Sequence, residues 1–96
     1  MYNEVELQYL KYARVWGKTL LFTREKALEL VTDLEHRSMP ILGIDVFRIV
    51  GDSIQPVLEL GVDFSSVKCV CEDTWESSRA LLSGNFEEVF LFEIVC

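Results

Sequence analysis

A chain of 96 residues, half of them hydrophobic and 11% aromatic, suits one globular domain and excludes disorder. Its formal net charge of −7 arises in one half: residues 1–50 hold seven acids and seven bases, residues 51–96 nine acids and two bases. That balance argues against nucleic acid and against an anionic membrane as partners, because both need clustered Lys and Arg, and it favours a basic protein.

Residues 4–14 fit a first helix, with Val5, Tyr9, Tyr12, Ala13 and Trp16 on one stripe and Gly17 as its left-handed stop. Residues 18–22, KTLLF, are a short strand. Thr23 then caps a second helix in which Ala27, Leu30, Val31 and Leu34 recur at i, i+3, i+4 and i+7. Pro40 disfavours helical angles at Met39, so this helix should end near Arg37 or Ser38. The run ILGIDVFRIV from Ile41 is broken only by Asp45 and Arg48, and reads as a strand buried on both faces. Gly43 inside it suggests a bulge or a close backbone approach. Gly51-Asp52 is a tight hairpin turn, followed by a return strand over residues 53–60. Pro56 cannot donate to a sheet ladder, which places that strand at an edge. A helix covers residues 74–83 and ends at Gly84; residues 66–73 are either its first turns or extended. Residues 88–96, EVFLFEIVC, form the last strand, apolar on both faces apart from Glu93.

The expected fold is therefore α+β: a four-stranded mixed or antiparallel sheet with helices packed on it, in α-βαββαβ order, akin to a split βαβ arrangement. A ferredoxin-like sheet would centre its first and third strands, whereas here the second and fourth are the most apolar, so the strand order stays open. The first helix is expected to cover the second sheet face.

No stretch reaches the roughly 18 apolar residues of a membrane span. The N-terminus lacks a basic start and apolar run, and the cysteine count of three is odd, so a reducing cytoplasmic setting is expected. No catalytic constellation emerges. His36, the one histidine, sits at a helix end beside Glu35 and Arg37 and reads as a solvated terminal residue. Ser65-Ser66 and Ser77-Ser78 lack a nucleophile elbow and read as capping or exposed residues. Cys69 and Cys71 are one residue apart with Cys96 as the sole further thiol, which does not make a zinc set; cysteine as a small hydrophobe fits better. Glu72-Asp73 and Glu87-Glu88 are adjacent acids that do not face each other on a helix. No glycine loop suited to phosphate is present, and no cofactor is expected. What remains is an acidic belt, Glu59, Asp63, Glu72, Asp73 and Glu76, interleaved with Phe64 and Trp75. It reads either as an interface with aromatic anchors for a basic protein, or as core aromatics beside solvated acids.

The central stretch ALELVTDLEHRSMPILGIDVFRI resembles the signature of a small immunity-protein family of bacterial polymorphic-toxin systems, the group catalogued as immunity protein number forty. Residues 27–34, 39–46, Gln55-Pro56, 75–82 and 89–95 match its pieces over about residues 20–96, and only the central piece is specific. Ile44 stands where that pattern has a second glycine, and residues 58–67 replace an aromatic block. The resemblance implies a cytoplasmic antidote, not an enzyme, that binds and blocks a cognate toxin domain. If that toxin is a basic nuclease, an acidic surface suits it. The expected partner contacts are Asp63, Glu72, Asp73, Trp75 and Glu76, with Glu59 and Asp52 at the rim. Two other readings remain: an interaction or regulatory module, possible as a homodimer through an exposed strand edge, and a small enzyme or metal protein using Cys69 and Cys71.

Overall fold

The computed structural model describes residues 3–64, 71–84 and 89–96, and within its third helix leaves the side chains of Cys71 and Glu72 undescribed. It is an α+β fold. In chain order it contains α1 (Glu4–Tyr9), a 3-10 turn (Leu10–Tyr12), β1 (Arg14–Trp16), β2 (Thr19–Leu21), α2 (Arg24–His36), β3 (Gly43–Val50), β4 (Ser53–Pro56), a second 3-10 turn (Leu58–Leu60), β5 (Val62–Asp63), α3 (Cys71–Leu82) and β6 (Phe90–Val95).

Helix α2 follows its sequence pattern closely. Thr23 Oγ1 accepts the Lys26 N–H at 3.4 Å, and the predicted stripe Ala27, Leu30, Val31 and Leu34 is fully buried. Its C-terminus closes with two reversed bonds, Met39 N–H to the Leu34 carbonyl and Ser38 N–H to the Glu35 carbonyl. This geometry puts Ser38 in the left-handed region at φ 55°, where glycine is the usual residue.

The first helix is shorter than the apolar stripe suggests. Asn3 and Glu6 form a reciprocal capping box at its start, but after Tyr9 the chain tightens and then extends. Residues 14–16 are strand β1, paired with β2 across the two-residue turn Gly17-Lys18, with Gly17 at φ 63°. The β-forming pair Val15 and Trp16 and the glycine turn outweigh the helical spacing of the stripe. The first helix also lies on the other side from the one expected. Val5 joins the core cluster of α2 and α3, and Tyr9 bonds Asp33 of α2, so α1 sits beside α2 on the helix-covered face.

Every strand pairing is antiparallel. β3 is central. One edge pairs with β6 from Gly43 to Arg48; the other pairs with β4 at Phe47–Val50 and with β5 at Gly43 and Ile44. The β1–β2 ribbon joins the far side of β6 through reciprocal 2.8 Å bonds between Phe22 and Phe92. β2 and β3 therefore run the same way with β6 between them, which is a split βαβ unit around α2. The central strands are β3 and β6, the most apolar ones, so the sheet does not have the ferredoxin-like order. The return strand is shorter than residues 53–60: it stops at the edge residue Pro56, and Leu58–Leu60 coils before β5.

Alternation along β3 and β6 sorts their residues between two faces. Ile44, Val46, Phe90, Phe92 and Ile94 enter the main core with Leu30, Leu34, Ile41, Trp75 and Leu82. Leu21, Phe47 and Leu91 form a smaller cluster on the opposite face. Gly43 is required because β5 approaches closely: a Cβ there would lie 2.7 Å from the Val62 carbonyl oxygen.

Candidate functional site

The predicted contact residues fall into three groups. Asp52 is exposed in the β3–β4 turn, at the far end of β3 from the others and roughly 23 Å away along the strand. Glu59 and Asp63 are exposed on the segment from the second 3-10 turn into β5, against the start of β3. Asp73 and Glu76 are exposed on the first half of α3. Two bonds bring that half of α3 to the same end of the sheet as β5: Ile41 N–H donates to Thr74 Oγ1 at 3.3 Å, and Phe64 N–H donates to the Leu42 carbonyl at 2.7 Å. Glu59 and Asp63 therefore lie at the end of the sheet where β3 starts, Asp63 on the face away from α3; Asp73 and Glu76 lie at the same end on α3, and Asp52 stands apart. Glu72 lies in α3, and the placement of its carboxylate is outside what is described.

Trp75 is not a surface anchor. It is 6% exposed, packs in the main core, and its indole N–H donates to the Met39 carbonyl at 2.8 Å. Phe64 also packs against that core. Both aromatics take the core alternative weighed for them. Aromatics that do reach solvent are Tyr12, 47% exposed, and Trp16, 43% exposed, the latter with its ring edge-on to Phe47 at a centroid distance of 5.5 Å.

A pair of carboxylates absent from the predicted contacts stands out on the open face of the sheet. Asp45 of β3 and Glu93 of β6 are directly opposed across the strands. Like charges in that relation destabilise a sheet. Burial first, then a hydrogen bond and the charge of Asp45, then the charge of Glu6, push the Glu93 carboxyl up to about 7. Glu93 is half-buried and Asp45 exposed, so the desolvation falls mainly on Glu93. Their signal was visible: each is the lone acid of a largely apolar strand.

The nucleophile candidates carry no site. His36 is exposed, as is Ser77. Ser78 is fully buried and donates to the Thr74 carbonyl at 2.6 Å, a local helix bond, which corrects its reading as an exposed or capping residue. Ser65, Ser66, Cys69, Glu87 and Glu88 lie outside the described residues, and so does the Cys71 side chain. Cys96 is half-buried against the core, and its sulfur accepts from Asn3 Nδ2 at 3.3 Å. Burial raises its thiol pKa, which disfavours the reactive thiolate. Among the described residues no group of three or more His, Cys, Asp or Glu is placed to hold a metal ion, and no helix is long and apolar enough to cross a membrane.

No family model, curated protein or solved structure matches the chain.

Proposed function

We propose that this chain is an immunity protein that binds and neutralises a cognate toxin domain through an acidic surface. The observation that carries the reading is that Glu59, Asp63, Asp73 and Glu76, all exposed, occur at one end of the sheet, the first two on the segment into β5 and the last two on α3. A neutraliser needs a rigid scaffold and a complementary field rather than catalytic groups. Clustered carboxylates raise the association rate with a basic protein and occupy sites built for phosphate. The resemblance of residues 27–46 to the immunity family points the same way.

The test is co-expression with the C-terminal domain of the toxin encoded beside this chain. The expected result is a stable complex and rescued host growth. A toxic domain that neither binds this chain nor is neutralised by it contradicts the proposal.

One observation favours a second reading, an interaction module that self-associates. All three residues of the edge strand β1 are exposed, including Val15 and Trp16. An unpaired edge of that kind recruits a strand from another copy. Molar mass rising with concentration, in the absence of any toxin, supports this alternative.

A further inference from the structure

The two outer edges of the strand assembly differ in charge and in backbone. At one, the segment from β4 to β5 carries Asp52, Glu59 and Asp63, and Pro56 has no N–H to offer. At the other, β1 lies within residues 7–24, which hold four bases and no acid. For a chain of net charge −7, this is the edge at which a second copy meets the least repulsion. Among the described residues β1 pairs with β2 alone, and its three residues are all exposed. Alternation of the ladder decides which main-chain groups face outward. Trp16 and Thr19 flank the two-residue turn and are a bonded pair, so Arg14 with Leu21 is the next bonded pair and Val15 with Leu20 is not bonded. The Phe22–Phe92 bonds agree, because they turn Phe22, and with it Leu20, toward β6. The N–H and carbonyl of Val15 therefore point away from β2, out of the edge.

We infer that a second copy of this chain adds to this edge, β1 against β1, antiparallel about a two-fold axis through Val15. The inference rests on the self-association reading above and locates its contact. In this register Val15 faces Val15 of the copy, and the two exchange both main-chain bonds. Arg14 faces Trp16 of the copy in a non-bonded position, where side chains approach most closely. The two-fold axis makes this contact twice. A guanidinium against an indole attracts, and no two like charges are opposed. One step further out, Ala13, itself extended, faces Gly17, so small residues meet small ones. Phe47 already holds the Trp16 ring from the side, and Val15, 54% exposed, leaves water on pairing. Glu59 and Asp63 stay on the outermost edges of the pair, apart from each other and open to a toxin. The paired run is short, so the contact falls below the standard interface size and the dimer is weak.

Two measurements on the full chain test this, and neither needs a toxin. First, sedimentation equilibrium is run from about 10 μM to about 1 mM, where a weak dimer assembles. The molar mass is expected to rise from 11.1 kDa toward twice that value. Val15→Pro deletes the outward N–H and leaves every β1–β2 bond in place, so it should weaken association about tenfold or more at a melting temperature close to the parent's. Val15→Thr keeps the N–H and should stay within about threefold of the parent. Second, amide resonances of the parent are followed over the same dilution. Concentration-dependent shifts centred on residues 13–17, with slower hydrogen exchange at the Val15 amide, are expected. A mass of 11.1 kDa at every concentration overturns the self-association reading and this contact together. Association that survives Val15→Pro, or shifts centred on β4, overturns the contact and leaves self-association standing.

Discussion

On the helix-covered side of the sheet, Ile44, Val46, Phe92 and Ile94 disappear beneath α2 and α3, whereas on the other side Asp45 opposes Glu93, Trp16 lies edge-on to Phe47, and Asp45 and Phe47 line a shallow groove beside residues 58–63. The same two strands build both surfaces, one residue out of step. The first surface holds the fold together by apolar burial. The second sacrifices stability by opposing two carboxylates, and such a sacrifice is common where a surface is kept for a partner. A strand that reads as apolar on both faces can thus belong to a sheet whose second face is incompletely covered.

The contrast predicts unequal costs for equal truncations. Phe92→Ala, on the covered face at 1% exposure, should lose about 3–5 kcal/mol in urea unfolding, a large share of the total stability of a domain this size. Trp16→Ala, on the open face, should lose about 1 kcal/mol. Similar losses for the two would mean that the open face is a second core.

Gly43→Ala tests the wall of the groove. Its Cβ would collide with the Val62 carbonyl, so β5 must move, at a cost of about 1–3 kcal/mol and with shifted amide resonances at residues 61–63.

The carboxylate pair makes stability depend on pH in a direction opposite to that of ordinary acids. Glu93 holds its proton more tightly in the folded chain than in the unfolded one, where the value is 4.5. Between 4.5 and about 7 the folded state therefore binds more protons, and its stability falls as pH rises through that window. After allowance for the partial exposure of the site, the Glu93 contribution should be about 1–2 kcal/mol. Chemical denaturation across the window measures it, and Asp45→Asn should flatten the slope.

The smallest expected effect is a gain. Ser38→Gly removes the left-handed strain at the end of α2 and should add about 0.5–1 kcal/mol, read as a higher urea midpoint.

Much of the fold was legible because local chemistry and global packing agree. The buried stripe of α2, its Thr23 cap, the Gly51 turn, edge placement at Pro56 and close approach at Gly43 all follow from residue type and spacing. The first helix reads too long because Tyr12 and Trp16 keep helical spacing although the chain tightens into a 3-10 turn at Tyr12 and is extended at Trp16, and only the ribbon with β2 decides between the two. Strand order depends on contacts between residues far apart in sequence, which periodicity does not encode. The candidate site was half legible. Acidic composition singles out Glu59, Asp63, Asp73 and Glu76, all exposed, but the pairing of Asp45 with Glu93 depends on the register between β3 and β6. For Trp75 the sequence left a surface anchor and a core residue both open: acids flank it, yet its own helical position points inward to the Met39 carbonyl.

The most direct measurement is the titration of the Glu93 side-chain carboxyl by carbon-13 NMR, in the parent chain and in Asp45→Asn. A midpoint near 7 in the parent, falling toward the ordinary carboxylate range in the variant, is the predicted result. An ordinary midpoint in the parent chain would contradict the account, because Asp45 and Glu93 would then not be a partly desolvated, mutually repelling pair.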